Sequence, residues 1–229
     1  MNFTIKKTTN PEDPANSIVS AILRQLELGK RVLFFLTGGS SIAVGVKITE
    51  LLYHQPKQDL IKNLTITLTD ERYGATGHTD SNWQQLIEKG LNLPGALFIP
   101  ILIGESRDKT VENFNKTLLQ EFNKTDKENT YKIGLFGIGA DGHTAGILPG
   151  SGAVKSENLA FGYDTPTFSR ITITPEAIEK LDEAIAWVRG ENKWGVIKDL
   201  QEKDMDVTQQ PAQILKKVPV LTIFTDYKF

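Results

Sequence analysis

The chain has no cysteine among its 229 residues, which removes disulfide scaffolds, thiolate metal sites and cysteine nucleophiles at once. Such a composition fits a reducing compartment. Charge of one dominant sign is also missing. Twenty-six Lys and Arg stand against 28 Asp and Glu, a net −2, so nothing favours a polyanion and no nucleic-acid partner is expected. Long apolar runs are missing too. The longest near the N-terminus, Val32-Leu33-Phe34-Phe35-Leu36, is far below the ~20 residues a membrane span needs. The opening Met1-Asn2-Phe3-Thr4-Ile5-Lys6-Lys7 lacks the apolar core and small residues of a signal peptide. A cytoplasmic, soluble protein with no membrane partner is the expectation. Histidine is scarce: His54, His78 and His143 are too scattered for H-E-x-x-H. No G-x-S-x-G nucleophile elbow occurs, since neither Ser40 nor Ser41 has glycines at both offsets.

What is present suits one α/β domain spanning residues 1–229. With 39% hydrophobic side chains, the chain is long enough to bury a core without staples. Asn10 is placed to cap a helix with Pro11 at its first position and Gly29 to stop it. Between them Ile18, Val19, Ile22, Leu23 and Leu26 share one helical face. The run 32–36 is apolar at every position and predicts a strand buried on both faces. The cycle continues: helix 42–52, strand 64–69, polar loop 70–80, helix 83–89, strand 97–102, helix 111–122, strand 133–136. Strands at 170–173 and 184–188, a helix at 191–200 and a strand at 218–224 complete it. The polar stretch 123–130 is a solvated loop. Strands alternating with helices imply a parallel sheet covered on both faces.

Ligands of such sheets sit beyond the carboxyl ends of the strands, and three strand-end loops carry usable chemistry. Thr37-Gly38-Gly39-Ser40-Ser41 is either an anion cradle of backbone N–H groups and hydroxyls or a tight turn with a Ser cap. It is not a Walker A loop, lacking the spacing and the Lys. Asp70-Glu71-Arg72-Tyr73, followed by His78, Ser81 and Asn82, offers acid/base groups, an anion clamp, an ion-pair network or a solvated loop. Asp70, Glu71 and His78 could also hold a metal, although their spacing does not demand it. Gly137-Ile138-Gly139-Ala140-Asp141-Gly142-His143-Thr144 formally satisfies the dinucleotide fingerprint, with Asp164 downstream. Pro149-Gly150 interrupts where that fingerprint needs a long helix, and the motif lies past mid-chain rather than in the first βαβ unit. It offers instead a buried Asp-Gly-His between a strand end and a helix start, suited to acid/base work.

Taken in order, these loops resemble the glucosamine-6-phosphate isomerase/6-phosphogluconolactonase family. The quoted residues are Thr37-Gly38-Gly39-Ser40, Thr69-Asp70-Glu71-Arg72-Tyr73 with His78-x-x-Ser81-Asn82, and Gly137-x-Gly139-x-Asp141-Gly142-His143-Thr144-Ala145 with Pro149-Gly150. Arg170-Ile171-Thr172-Ile173-Thr174-Pro175, Gly190-Glu191-Asn192-Lys193 and Pro211-Ala212-x-Ile214-Leu215 extend the likeness to nearly the whole chain. Leu148 stands where the deaminases of the group carry a relay Glu before Pro, and Arg72 where they carry Tyr. Both differences favour the lactonase branch over a deaminase. The first loop departs from that branch at Ser41-Ile42 and the third at Gly146-Ile147-Leu148, which keeps a non-catalytic sugar-phosphate binder as the other alternative. The resemblance implies a three-layer α/β/α fold with a mostly parallel, Rossmann-like sheet, similar to the sugar-phosphate isomerase/CoA-transferase-like fold. It implies hydrolysis of 6-phospho-D-glucono-1,5-lactone to 6-phosphogluconate, the partner being a small sugar phosphate and the chain a monomer or homodimer. In that reading His143 activates water, with Asp141 and Asp70 as the candidate carboxylates beside the chemistry. Gly38, Gly39, Ser40, Arg72, Arg170 and Lys193 are candidates for the phosphate or the oxyanion. The reaction as read calls for no cofactor and no metal.

Overall fold

A computed structural model describes residues 3–123 and 130–228. The polar loop expected at 123–130 therefore lies, apart from its two ends, outside the described residues.

The chain order is β1 (Thr4–Lys7), α1 (Glu12–Glu27), β2 (Arg31–Leu36), α2 (Ile42–Tyr53), β3 (Leu64–Leu68), β4 (Asp70–Arg72) and α3 (Asn82–Glu88). Then follow β5 (Leu97–Phe98), α4 (Arg107–Phe122), β6 (Thr130–Phe136), β7 (Ala160–Asp164), β8 (Ser169–Ile173), α5 (Pro175–Ile178), β9 (Glu183–Val188), α6 (Trp194–Glu202) and β10 (Val220–Thr225). Seven strands form one sheet in the order β1-β10-β9-β6-β2-β3-β5, every neighbouring pair parallel. Helices flank it to make the three layers expected from the alternation of elements.

The central strands are apolar because helices cover both of their faces. Val32, Leu33, Phe34, Phe35 and Leu36 of β2 and Ala184, Ile185 and Ala186 of β9 are all buried. Helix α1 begins where its cap chemistry predicts: the Asn10 carboxamide accepts from Glu12 N–H at 3.1 Å. It turns Ile18, Val19, Ile22 and Leu26 inward at the offsets of one helical face.

A second sheet, β4-β8-β7, is short and antiparallel. It departs from the expected loop at 70–80, since Asp70–Arg72 pairs with β8 through Asp70↔Thr172, Glu71↔Ile171 and Arg72↔Arg170. Strand β7 had no apolar run to announce it. Phe161 and Tyr163 alternate around Gly162, where an added Cβ would lie 2.6 Å from Val111 of α4. The expected strand at 97–102 shrinks to Leu97–Phe98, with Ile99 N–H still donating to the Ile66 carbonyl, because Pro100 has no N–H to carry the ladder further. Edge strand β1 is too polar to stand out in sequence.

Candidate functional site

All seven strands of the large sheet run the same way, so the loops leaving β2, β3, β6, β9 and β10 gather on one rim. There a cleft of roughly 420 Å³ is lined by Thr37, Gly38, Gly39, Ser40, Asp70, Arg72, Asn82, His143, Arg170 and Lys193, among others. A larger groove of about 590 Å³ between β1 and α1 mixes Lys6, Lys7 and Arg24 with Asp13 and Glu183. It has no glycine loop and none of the three strand-end motifs. The smaller cleft is the site that the sheet topology selects.

The loop after β2 becomes a single 3-10 turn, Gly39–Ser41, running into α2. Gly38 has an ordinary φ of −84°, and its glycine is demanded by proximity: a Cβ there would meet Asn82 Oδ1 at 2.0 Å. Gly39, at φ 62°, needs glycine for its backbone.

In β4 the two-residue period of a strand sends neighbouring carboxylates opposite ways. Asp70 faces the cleft. Its carboxylate accepts from Thr69 Oγ1 at 3.0 Å and lies 3.5 Å from Arg170 Nη1. Glu71 points away, fully buried, and accepts from Arg72 N–H, Asn82 N–H, Trp83 N–H and the Ser81 hydroxyl. Burial pushes its carboxyl above the ordinary range, against the pull of those four donors. It is the bolt between β4 and α3. Asn82 Nδ2 donates to the Asp70 carbonyl at 3.0 Å, tying the same junction to the cleft. His78 Nε2 sits 2.9 Å from the Arg72 carbonyl. Glu71 and His78 are thus engaged with backbone and do not converge with Asp70 on a metal position. Among the described residues no cluster of three or more such side chains is placed to hold a metal.

The glycine-rich loop after β6 differs from both of its sequence readings. No helix opens after it. Residues 138–147 double back instead, with bridges Ile138↔Thr144 and Thr144↔Ile147. Asp141 and His143 are not buried: their side chains are 48% and 42% exposed at the cleft mouth. A loop that folds on itself lifts both side chains to the rim, where a helix start would have tucked them in. Asp141 Oδ1 stands 2.6 Å from His143 Nδ1 and accepts from the His143 backbone N–H at 3.1 Å. Burial resists ionisation of Asp141, but these His143 contacts outweigh it and hold the carboxyl below its usual range. Of the two carboxylates read from sequence, Asp141 is therefore the one against the imidazole and Asp70 the one against a guanidinium. The turn ahead of Pro149 uses Ala145 at φ 51° and Gly146 at φ 72°. That is a tight type I′ geometry, held by a hydrogen bond from Thr172 Oγ1 to the Ala145 carbonyl.

Three cations close the cleft. Arg72 and Arg170 are cross-strand partners in the small sheet, and both guanidiniums lie over the Phe168 ring, at 4.8 and 5.5 Å. Lys193 ends the 3-10 turn that leads into α6. Burial lowers its ammonium pKa, partly offset by the Asp226 carboxylate. Asp226 also accepts from Gly190 N–H and Trp194 Nε1–H, which anchors the lysine's loop. Of the candidates singled out from the sequence, Gly38, Gly39, Ser40, Asp70, Arg72, His143, Arg170 and Lys193 line this cleft, Asp141 reaches its mouth beside His143, and Glu71 and His78 do not join it. Sequence reasoning assigned nothing to Asn82 or Phe168. The motif containing Asn82 was a usable signal for the first, and Phe168, in a polar turn, offered none.

The family model described as glucosamine-6-phosphate isomerases/6-phosphogluconolactonase matches residues 8–223. The chain belongs to that family. Relatives named 6-phosphogluconolactonase include one from Helicobacter pylori, 29% identical over 69% of each chain. Another, from Neisseria meningitidis, is 28% identical over 85% of this chain and 86% of its own. The fold matches the crystal structure of a 6-phosphogluconolactonase from Shewanella baltica, with a TM-score of 0.78, 23% identity and 98% of both chains covered. It also matches the Trypanosoma brucei enzyme, with a TM-score of 0.75, 22% identity and coverage of 98% and 96%. Within the family, Leu148 offers no proton-carrying group ahead of Pro149, and its N–H donates to Tyr163 Oη at 3.2 Å.

Proposed function

We propose that the protein hydrolyses 6-phospho-D-glucono-1,5-lactone to 6-phospho-D-gluconate, the lactone step of the oxidative pentose phosphate branch. The observation that carries this reading is an Asp141–His143 pair set across one cleft from three cations and a glycine loop. With the Asp141 carboxylate accepting from Nδ1–H, the imidazole keeps its Nε2 lone pair for a proton from water. The water oxygen bonds to the lactone carbonyl carbon, and the carbonyl π electrons move onto oxygen. Backbone N–H groups of Gly38, Gly39 and Ser40 are the candidates to stabilise that oxyanion or the phosphate. When the C–O bond of the ring breaks, the departing ring oxygen takes the proton back from His143. No protein nucleophile is consumed and none is needed, because a strained sugar lactone is a reactive ester. General acid/base transfer of this kind contributes ~10²–10⁴-fold.

Arg72, Arg170 and Lys193 serve the phosphate, with Asp70 holding Arg170 in place. Arginine suits bidentate contact with phosphate oxygens and lysine acts as a point charge. The whole chain, residues 1–229, works as one domain in this reading, and a single buried cluster running from Ala15 to Phe224 supports that. No nucleic acid, membrane or cofactor takes part, and the protein acts in the cytoplasm as a monomer or homodimer. No helix of the described residues is long and apolar enough to cross a membrane.

The test is a coupled assay. Glucose-6-phosphate dehydrogenase makes the lactone in situ, 6-phosphogluconate dehydrogenase reports product as NADPH, and spontaneous hydrolysis is subtracted. Turnover above background is expected. Stabilisation by 6-phosphogluconate in a thermal melt with no turnover would replace this reading with a non-catalytic sugar-phosphate binder.

A further inference from the structure

We propose that Phe168 is a positioning residue for the anion site: its ring is a shared platform that holds the Arg72 and Arg170 guanidiniums side by side before any phosphate arrives. The proposal rests on the phosphate reading of this cleft and adds a residue outside the cleft wall to it.

Four observations converge. First, Arg72 and Arg170 are directly opposite across β4 and β8, a pairing that like charges normally avoid in a sheet. Second, only one of the two has a counter-ion. Arg170 pairs with Asp70 at 3.5 Å, whereas Arg72 has no ion-pair partner among the described residues and reaches only the Asp80 carbonyl, at 3.0 Å. Third, the Nε–H groups of both arginines are buried without a hydrogen-bond partner, so each guanidinium keeps an unspent donor beside the cleft. Fourth, both guanidiniums lie over one phenyl ring, at 4.8 and 5.5 Å. The negative quadrupole of an aromatic face attracts a cation, which offsets part of the repulsion between the two and restricts their side-chain freedom.

The ring has no competing structural duty. Phe168 is only half-buried. Its turn is fixed without the ring, through Thr165 N–H and Thr165 Oγ1 donating to the Phe168 carbonyl and Phe168 N–H donating to Thr165 Oγ1. The residue does not line the cleft itself, so it acts through the arginines. A pre-set pair of guanidiniums with surplus positive charge fits a phosphate dianion, which supplies the counter-charge that the sheet lacks.

Phe168→Leu keeps an apolar side chain and removes the π face. Phe168→Tyr restores the face. Relative to wild type, the Leu variant is expected to raise both the KM for the phosphorylated lactone and the dissociation constant for inorganic phosphate by roughly tenfold. Its kcat should stay within about twofold and its melting temperature should be near that of wild type. The Tyr variant should return both binding values close to wild type. Placed on an Arg72→Met, Arg170→Met background, Phe168→Leu should add no further loss. Unchanged phosphate affinity in the Leu variant overturns the proposal, and so does a Tyr variant no better than Leu. A fall in kcat at constant KM does the same. The phosphate arm needs no turnover, so a wild type that binds phosphate but leaves the lactone untouched defeats the lactonase reading alone.

Discussion

The two sheets divide the work between them. The seven-stranded sheet is apolar along its central strands and contributes to the cleft almost wholly through the loops at its carboxyl edge, His143 and Asp141 among them. The three-stranded sheet is short, antiparallel and charged, and it places Asp70, Arg72 and Arg170 in the cleft through the side chains of its strands. In the proposed reading, a rigid, buried sheet holds the proton-transfer pair on the loop at its edge. The small sheet carries its carboxylates buried and tolerates them because Asp70 faces Arg170 and Glu71 accepts four hydrogen bonds. If this division holds, damage to the first group should appear in kcat and damage to the second in KM.

The largest effect tests the first half. His143→Ala should lower kcat by ~10²–10⁴-fold with KM changed far less, since the imidazole is the only general base assigned. The side chain is 42% exposed, so its removal leaves no buried cavity, and the melting temperature should hold. A KM effect exceeding the kcat effect in the coupled assay would place His143 on the binding side and break the division.

The next effect concerns the bolt between β4 of the small sheet and α3. Glu71→Ala leaves three backbone N–H groups and the Ser81 hydroxyl without their acceptor at a fully buried point. Unmet buried donors cost about 1–3 kcal/mol apiece, though water entering the hole would recover part of that. A net loss of about 3 kcal/mol corresponds to a fall in Tm of roughly 6–12 °C for a chain of this size. Calorimetry decides it. A melting temperature within a degree of wild type would mean that β4 and α3 hold together by other means.

The same contrast explains which parts of the fold are legible in the sequence. Strands β2 and β9 and the inner half of β6, residues 133–136, are legible because burial on both faces forces apolar runs, and helices α1 and α2 because their apolar faces recur with a helical period. The small sheet is not. Asp70–Arg72 reads as a polar loop because its identity as a strand depends on β8, a partner remote in sequence, and β7 carries Gly162 and ends in Asp164. The candidate residues were legible as motifs, but their division of labour was not. Glu71 and Asp70 look equivalent in sequence until strand period sends one into the protein and the other into the cleft. Likewise, nothing in Asp141-Gly142-His143 distinguishes a helix start from a loop that doubles back. Only the bridges at Thr144 settle that it doubles back and leaves both side chains half-exposed.

Arg170→Met tests the second half. Removing a charged donor from the anion site weakens binding by about 1.5–3 kcal/mol, or roughly tenfold to a hundredfold in KM. Some stability is lost as well, because Asp70, 8% exposed, is left without its counter-ion. An unphosphorylated lactone separates the two effects, since its KM should barely move. Equal increases for both lactones would mean that Arg170 serves the ring rather than the phosphate, and the binding role of the small sheet would shrink to Arg72.

The smallest effect asks whether Lys193, a large-sheet loop residue, belongs with the cations despite its address. Burial lowers its pKa beneath the ordinary 10.5. The sign follows from charge: the protonated amine attracts the phosphate, so affinity is full at lower pH and is lost as pH rises through the depressed value. A phosphate monoester is already a dianion well below that range, its second pKa being about 6, so the ligand contributes no alkaline change. The dissociation constant of 6-phosphogluconate should therefore rise by roughly twofold to fivefold on the alkaline side, starting below the usual lysine range. Using the product avoids the spontaneous alkaline opening of the lactone. Lys193→Arg should flatten that limb, because a guanidinium stays charged throughout. Asp226→Asn should move it to still lower pH, since the Asp226 carboxylate is what partly restores the lysine's charge. A limb that persists unchanged in Lys193→Arg would assign it to another group and return the phosphate to the two arginines of the small sheet.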